Sequence, residues 1–248
     1  MTKVLIEDHD SLAIIRLNNG VTNAISPALV EDLLVSVKQV EGKFHGAVLA
    51  GGDKFFSIGF DLPELLKLDR EGVTRFFYNF NLAAFDLFTI PLPTVCAIAG
   101  HATAGGNILA LTCDYRFAPE GKKLIGLNEV KLGVPVPYLA DLILRKIVGD
   151  RAATEMLYGG ELMPFSEAEK IGLVDEVLPQ DKVEDRALEK VAELAALPRP
   201  AFEAIKATRV EAIRILYEEN YKPKHETFLD CWFTEQTQEL LAEAAKKF

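Results

Sequence analysis

Twice in the first half of the chain an apolar, strand-like run stops at glycine and the next helix is entered through another glycine. Ala47–Ala50 ends at Gly51-Gly52 and leads through Phe55-Phe56-Ser57-Ile58-Gly59-Phe60-Asp61 to a helical pattern from Leu62. Thr94–Ala99 ends at Gly100 and leads through His101–Ala104 into Gly105-Gly106 and an apolar helix to about Thr112. Glycines at a helix entrance lower stability compared with alanine. Tight packing of helix on strand is one reason to find them there, and close approach of a ligand to the backbone is another. A helix entrance also leaves its first N–H groups without partners, and these suit a developing negative charge.

Around these two units the pattern keeps alternating. Val4–Glu7 and Leu12–Leu17 read as a hairpin. Ser26-Pro27 opens a helix to about Val40 with a hydroxyl cap and a first-turn proline. Helical spacing recurs at Leu62–Leu66 and Val73–Leu87, and Tyr115–Ala118 and Lys123–Gly126 read as strands. Such alternation over residues 1–135 predicts an α/β layered sheet. Beyond Pro137 the pattern becomes nearly all helix. Asp181–Leu197, Ala201–Tyr217 and Phe228–Phe248 are the candidates, with breaks at Pro198, Pro200 and Lys222-Pro223 and an apolar face at Leu240, Leu241 and Ala244. The expected division is a core over residues 1–195 and a helical segment over 196–248 that covers the sheet or a neighbouring subunit.

A formal charge of −10 on 248 residues argues against nucleic acid as a partner, since phosphate backbones need a basic surface. No apolar stretch approaches a membrane span, and acidic residues near the N-terminus argue against a signal peptide. A cytoplasmic protein is expected, or one of the mitochondrial matrix if a transit peptide has been removed. Cys96, Cys113 and Cys231 are widely spaced, which suggests neither a disulfide framework nor a zinc site. No dinucleotide-binding glycine turn, phosphate loop, nucleophile elbow or HExxH motif occurs, and no metal site is expected. His101 reads either as a hydrogen-bonded residue at a strand end or as a catalytic group. Glu129 is an isolated carboxylate in the apolar run Leu124–Pro135. Solvated, it would be ordinary; buried, its pKa would rise and suit it to general-base work near neutral pH.

Taken in order, these segments resemble the crotonase, or enoyl-CoA hydratase/isomerase, family over nearly the whole chain. The resemblance is carried by Asn23-Ala24-Ile25, Phe56–Leu62, Ala104-Gly105-Gly106, Ala110–Arg116, Gly126-Leu127-Asn128-Glu129, Gly149–Ala153 and Ala168–Asp175. It implies a right-handed spiral of ββα units with C-terminal helices that assist trimer formation, trimers often pairing into hexamers. It implies an acyl-CoA thioester as substrate, with coenzyme A part of that substrate and no separate cofactor. Matched by motif, the oxyanion donors would be the N–H groups of Phe60 and Gly105, with Gly106 an alternative for the second. Ala24, Ser57, Ile58, Gly59, Gly106, Ile108 and Leu132 would contact substrate.

Family hydratases use two glutamates. The first position corresponds to Ile108 here and the second to Glu129, so one carboxylate remains. The stretch Ala110–Arg116 and the segment Gly126-Leu127-Asn128-Glu129 most resemble the mitochondrial-type Δ3,Δ2-enoyl-CoA isomerases, in which a single group moves a proton from C2 to C4. Apolar Ile108, Leu132 and Val134 would keep water out. The alternatives are another crotonase reaction (hydration, thioester hydrolysis or decarboxylation) or a non-catalytic acyl-CoA-binding protein. Family hydratases often place a lysine near the CoA phosphates where Pro63 stands. Lys54, Lys67 or Arg70, or a C-terminal Lys246 or Lys247 from a neighbouring subunit, could compensate. The stretch Phe76–Phe80 could line the acyl pocket or pack in the core.

Overall fold

A computed structural model describes residues 2–246. Lys247 and the last residue of the expected terminal helix lie outside the described residues. The chain begins with β1 (Val4–His9) and β2 (Leu12–Leu17), which pair antiparallel, followed by α1 (Pro27–Lys43). Ser26 caps α1 by accepting the Leu29 N–H at 3.3 Å.

Next come three strand pairs. β3 (Gly46–Ala50) turns into β4 (Phe55–Ser57), then α2 (Leu62–Leu65) and α3 (Arg70–Thr89). β5 (Thr94–Ala97) turns into β6 (His101–Thr103), then α4 (Gly105–Leu111). β7 (Tyr115–Pro119) turns into β8 (Leu124–Gly126), then a 3-10 turn over Glu129–Leu132 and α5 (Tyr138–Gly159), which is interrupted at Gly149 (φ +80°). The first strand of each pair joins one sheet, in the order β1-β2-β3-β5-β7 and, at its edge, β10 (Glu176–Leu178). The second strand of each pair joins another, β4-β6-β8 and β9 (Leu162–Pro164). Within the triplets β3-β5-β7 and β4-β6-β8 all pairings are parallel. One repeat therefore climbs beside the previous one, the spiral of ββα units expected from the sequence.

The chain ends in α6 (Phe165–Lys170), α7 (Val183–Ala195), α8 (Arg199–Trp232) and α9 (Glu235–Ala245). β9 and β10, three residues each, are too short to show a period of two and interrupt a region past Pro137 that is otherwise nearly all helix, as expected. One expectation fails here. The break expected at Lys222-Pro223 is absent, since α8 runs through Pro223. Residues on both sides of the proline are held by the core. Tyr217 and His225 are buried, with Tyr217 Oη 3.3 Å from His225 Nε2, and Phe228 and Trp232 are 2% exposed. This packing outweighs the lost backbone bond. The break falls instead at Thr234, whose hydroxyl caps α9 by accepting the Thr237 N–H.

The main apolar core joins the spiral and the C-terminal helices, with Ile213, Phe228, Trp232 and Leu241 in the same cluster as Leu33, Phe77 and Leu109. Cys96 and Cys113 are buried and free, and Cys231 is half-buried. α8 is tied to the first sheet by Lys206, 4% exposed, whose Nζ donates to Leu92 O (2.6 Å) and Asp114 Oδ2 (2.8 Å). No described helix is long and apolar enough to cross a membrane.

Replacing Lys206 leaves a strand-end carbonyl and a carboxylate without their cation. Lys206→Met is expected to lower unfolding stability by about 2 kcal/mol, mainly through the unpartnered Leu92 carbonyl, read from urea denaturation. A loss within error would show that this pair does not hold α8.

Candidate active site

The parallel register of β4, β6 and β8 decides where the site lies. Ser57 pairs with Ala102, and Ala102 with Ile125; Thr103 pairs with Gly126. The three strands thus end side by side. Their C-terminal continuations, Ile58-Gly59-Phe60, Ala104-Gly105 and Leu127-Asn128-Glu129, are brought together there. A cavity of about 470 Å³ opens between them. Crevices beyond the C-terminal ends of parallel strands are where ligands bind in open α/β sheets.

Each of the first two turns frees a backbone donor. Ile25 bridges to the first turn by donating its N–H to Gly59 O (2.8 Å) and accepting the Asp61 N–H (3.0 Å), so the Phe60 N–H takes no part. In the second, Ala104 gives its N–H to Gly126 O and accepts the first return bond of α4, from Ile108. Gly105 N–H has no intrahelical acceptor. The turns touch: a Cβ on Gly59 (φ +94°) would lie 3.1 Å from Gly105 N, and one on Gly106 would lie 2.3 Å from Ser57 O. Ala104 holds φ +49° and ψ −125°, a conformation that costs a non-glycine residue about 1–3 kcal/mol. Asn23, at φ +44°, accepts the Ser57 hydroxyl at its carbonyl and fixes the first turn from behind.

Glu129 begins the 3-10 turn and lines the cavity. It is 6% exposed, and neither carboxylate oxygen has a partner among the described residues. Burial pushes its pKa up to about 8, against a weaker opposing pull from its own backbone N–H. Its turn is pinned by α9, where Thr237 Oγ1 donates to Gly133 O at 3.1 Å.

Of the residues singled out in the sequence, Phe60, Gly105, Glu129, Ile58, Ile108 and Leu132 line the cavity. Ala24, Ser57, Gly59 and Gly106 do not. Ala24 and Ser57 are buried behind the first turn, and Gly59 and Gly106 form the contact between turns. These four shape the site without facing it. His101 lies outside the cavity lining and accepts the Leu124 N–H at Nδ1 (3.0 Å), the strand-end reading rather than the catalytic one. Burial and the nearby Lys123 and Lys54 cations lower its pKa. Of the candidate cations, Lys54 stands at the cavity. Arg70 pairs with Asp230 (2.6 Å), and Lys246 with Glu243.

Thr22, Asn128, Phe228 and Trp232 also line the cavity, and sequence reasoning missed all four in that role. Leu241 and Ala244 are lining residues too, while Leu240, grouped with them, is 38% exposed. The spacing of Phe228 and Trp232 on one helical face is a usable signal, but it reads equally as core. Phe76 and Phe80 stand behind Phe60 with edge-to-face contacts of 4.9 and 4.8 Å, and Phe77 stacks on Phe228 at 3.8 Å. None of the three lines the cavity.

A profile described as enoyl-CoA hydratase/isomerase matches residues 7–243. The chain belongs to the enoyl-CoA hydratase/isomerase family. Within that family it is 32% identical to the human mitochondrial enoyl-CoA delta isomerase 1 over 211 residues, which cover 83% of this chain and 70% of that protein. The crystal structure of human mitochondrial Δ3-Δ2-enoyl-CoA isomerase superposes with a TM-score of 0.94 at 29% identity, covering 99% of this chain and 97% of that one. An enoyl-CoA hydratase of Bacillus anthracis superposes with a TM-score of 0.80 at 26% identity, covering 99% and 96%. The crotonase fold read from the motifs is thus the fold of this family member, and family membership makes it an enzyme of the crotonase superfamily.

The contact between turns predicts an asymmetry. A Cβ on Gly105 meets only side-chain atoms, at 3.1–3.2 Å, whereas one on Gly106 meets the Ser57 backbone. Gly106→Ala is expected to cut the yield of folded protein sharply, and Gly105→Ala to fold with a modest loss of thermal stability. Equal melting temperatures for the two variants would contradict the assigned contact.

Proposed function

We propose that the protein isomerises 3-enoyl-CoA to trans-2-enoyl-CoA, with Glu129 as the single acid/base. The observation that carries this reading is that Glu129 is the one carboxylate lining the cavity among the described residues, in a lining it shares with apolar Ile108, Leu132 and Val134. Hydration needs a water held and activated between acidic groups, and isoleucine can do neither. Double-bond migration needs one base in a dry site. Ionised Glu129 removes a proton from C2. The electron pair delocalises into the thioester and the C3–C4 double bond, giving a dienolate whose oxygen accepts hydrogen bonds from the Phe60 and Gly105 N–H groups. The protonated Glu129 then returns the proton to C4. Preorganised backbone donors of this kind contribute on the order of 3 kcal/mol each to the barrier. The likeness to the human isomerase supports the same choice.

The CoA portion carries phosphates that an apolar cavity cannot take. It would lie outside the mouth, where Val21 is 67% exposed and Lys54 offers a cation. The competing reading is another crotonase reaction, hydration above all, with water placed by groups other than a second carboxylate. Asn128 and Thr22 are the polar candidates in the cavity.

Because proton removal requires the ionised form, a pKa near 8 in the free protein predicts that kcat/KM rises with pH and levels off above about 8. Glu129→Gln is expected to lower kcat on 3-enoyl-CoA by about 10²–10⁴-fold while retaining the fold. Product analysis of the wild type on 2-enoyl-CoA should show hydration far slower than isomerisation. A variant that keeps half its turnover, or hydration at a comparable rate, would refute the reading.

A further inference from the structure

The cavity has two unlike ends. Toward the mouth stand exposed Val21 and Lys54. The opposite part of the lining comes from the C-terminal helices: Phe228 and Trp232 of α8 and Leu241 of α9 are each 2% exposed or less, and Ala244 of α9 is half-buried. With the phosphates of CoA held outside and the thioester at Phe60 and Gly105, the acyl tail has one direction left, past Glu129 toward these helices.

The walls at that end differ in how firmly they are set. Phe228 stacks on Phe77 with centroids 3.8 Å apart and 7° between planes, and Trp232 stands 5.9 Å behind Phe228. This aromatic wall is rooted in the core between α3 and α8. α9 presents Leu241 and Ala244, three residues apart on one helical face. The helix is held at its start, by the Thr234 cap, the Thr237 bond to Gly133 O, and Gln238 Nε2 donating to Trp232 O (2.6 Å). Its second half carries the two residues that complete the cavity. The side-chain volume at 241 and 244 therefore fixes the space left for the tail, while the anchors at its start keep Glu129 in place.

We propose that α9 is the chain-length determinant, with Leu241 and Ala244 setting how long an acyl tail the cavity accepts. The proposal rests on the acyl-CoA reading of the site, but its first readout needs no turnover. Affinities of the wild type and of Ala244→Phe for saturated hexanoyl-CoA and dodecanoyl-CoA are measured by calorimetry. Excluding one methylene from an apolar site loses about fourfold in affinity. Ala244→Phe is expected to bind hexanoyl-CoA within about threefold of wild type and dodecanoyl-CoA at least tenfold more weakly. Leu241→Ala is expected to shift the preference the other way. If it folds poorly, Leu241→Val with the same two ligands serves instead, with a smaller shift of the same sign.

The same contrast should then appear in kcat/KM on 3-hexenoyl-CoA and 3-dodecenoyl-CoA. Equal changes for both lengths, or none, would overturn the role of α9. Length-dependent binding without isomerisation by the wild type would sustain the role of α9 and refute the isomerase reading. Absence of binding by any acyl-CoA to the wild type would overturn both.

Discussion

Three short parallel strands in register organise this molecule. β4, β6 and β8 contribute three residues each, and Ser57, Ala102 and Ile125 line up across them. Their ladder brings segments from three successive repeats to one place, so residues 60, 105 and 129 converge although about 70 positions separate the first from the last. The register holds only if the turns leaving the strands can lie against one another. That requires backbone contact, and side chains at Gly59 or Gly106 would prevent it. The glycines are therefore structural in their immediate role, and the free donors at Phe60 and Gly105 result from the turns they permit.

Glu129 is a local liability in this arrangement. A carboxyl buried without a partner favours its protonated form, and its raised pKa is the measure of that preference. Linkage gives the sign. Between the ordinary glutamate value and about 8, the folded protein holds a proton that the unfolded chain has lost, so this group reduces stability as pH rises through that window. Neighbouring elements offset the strain. α9 pins the 3-10 turn through Thr237, and the aromatic wall of Phe77, Phe228 and Trp232 joins the site to the main core. A largely apolar cavity with one unpaired carboxyl thus serves as both stability burden and chemical resource.

The strand-turn-helix units around Gly59 and Gly105 are legible in the sequence because glycines at a helix entrance conflict with local propensity, and such conflict marks a functional or close-packed position. Glu129 is legible as a lone charge in an apolar run. The strands β4 and β6 are not, since three residues with no alternation carry no period and read as turn. The role of Gly106 is hidden for a related reason. Sequence cannot say whether a glycine faces a ligand or a neighbouring backbone, and only the 2.3 Å approach to Ser57 O separates these. Pro223 misleads because local propensity knows nothing of tertiary contacts; buried His225, Phe228 and Trp232 carry α8 past it. The far wall of the cavity comes from helices more than 100 residues beyond Gly105. Nothing local marks Trp232 or Leu241 as lining rather than core.

The chemistry of the site depends on Glu129 being an unpaired carboxyl in a dry cavity. Difference infrared spectroscopy of the wild type against Glu129→Gln, over a pH titration of the free protein, isolates its protonated carbonyl band. The band should persist at neutral pH and titrate with a midpoint near 8. A midpoint in the ordinary glutamate range of about 4.3 would mean that water or a partner reaches the carboxylate, and would contradict the dry site on which the single-base mechanism rests.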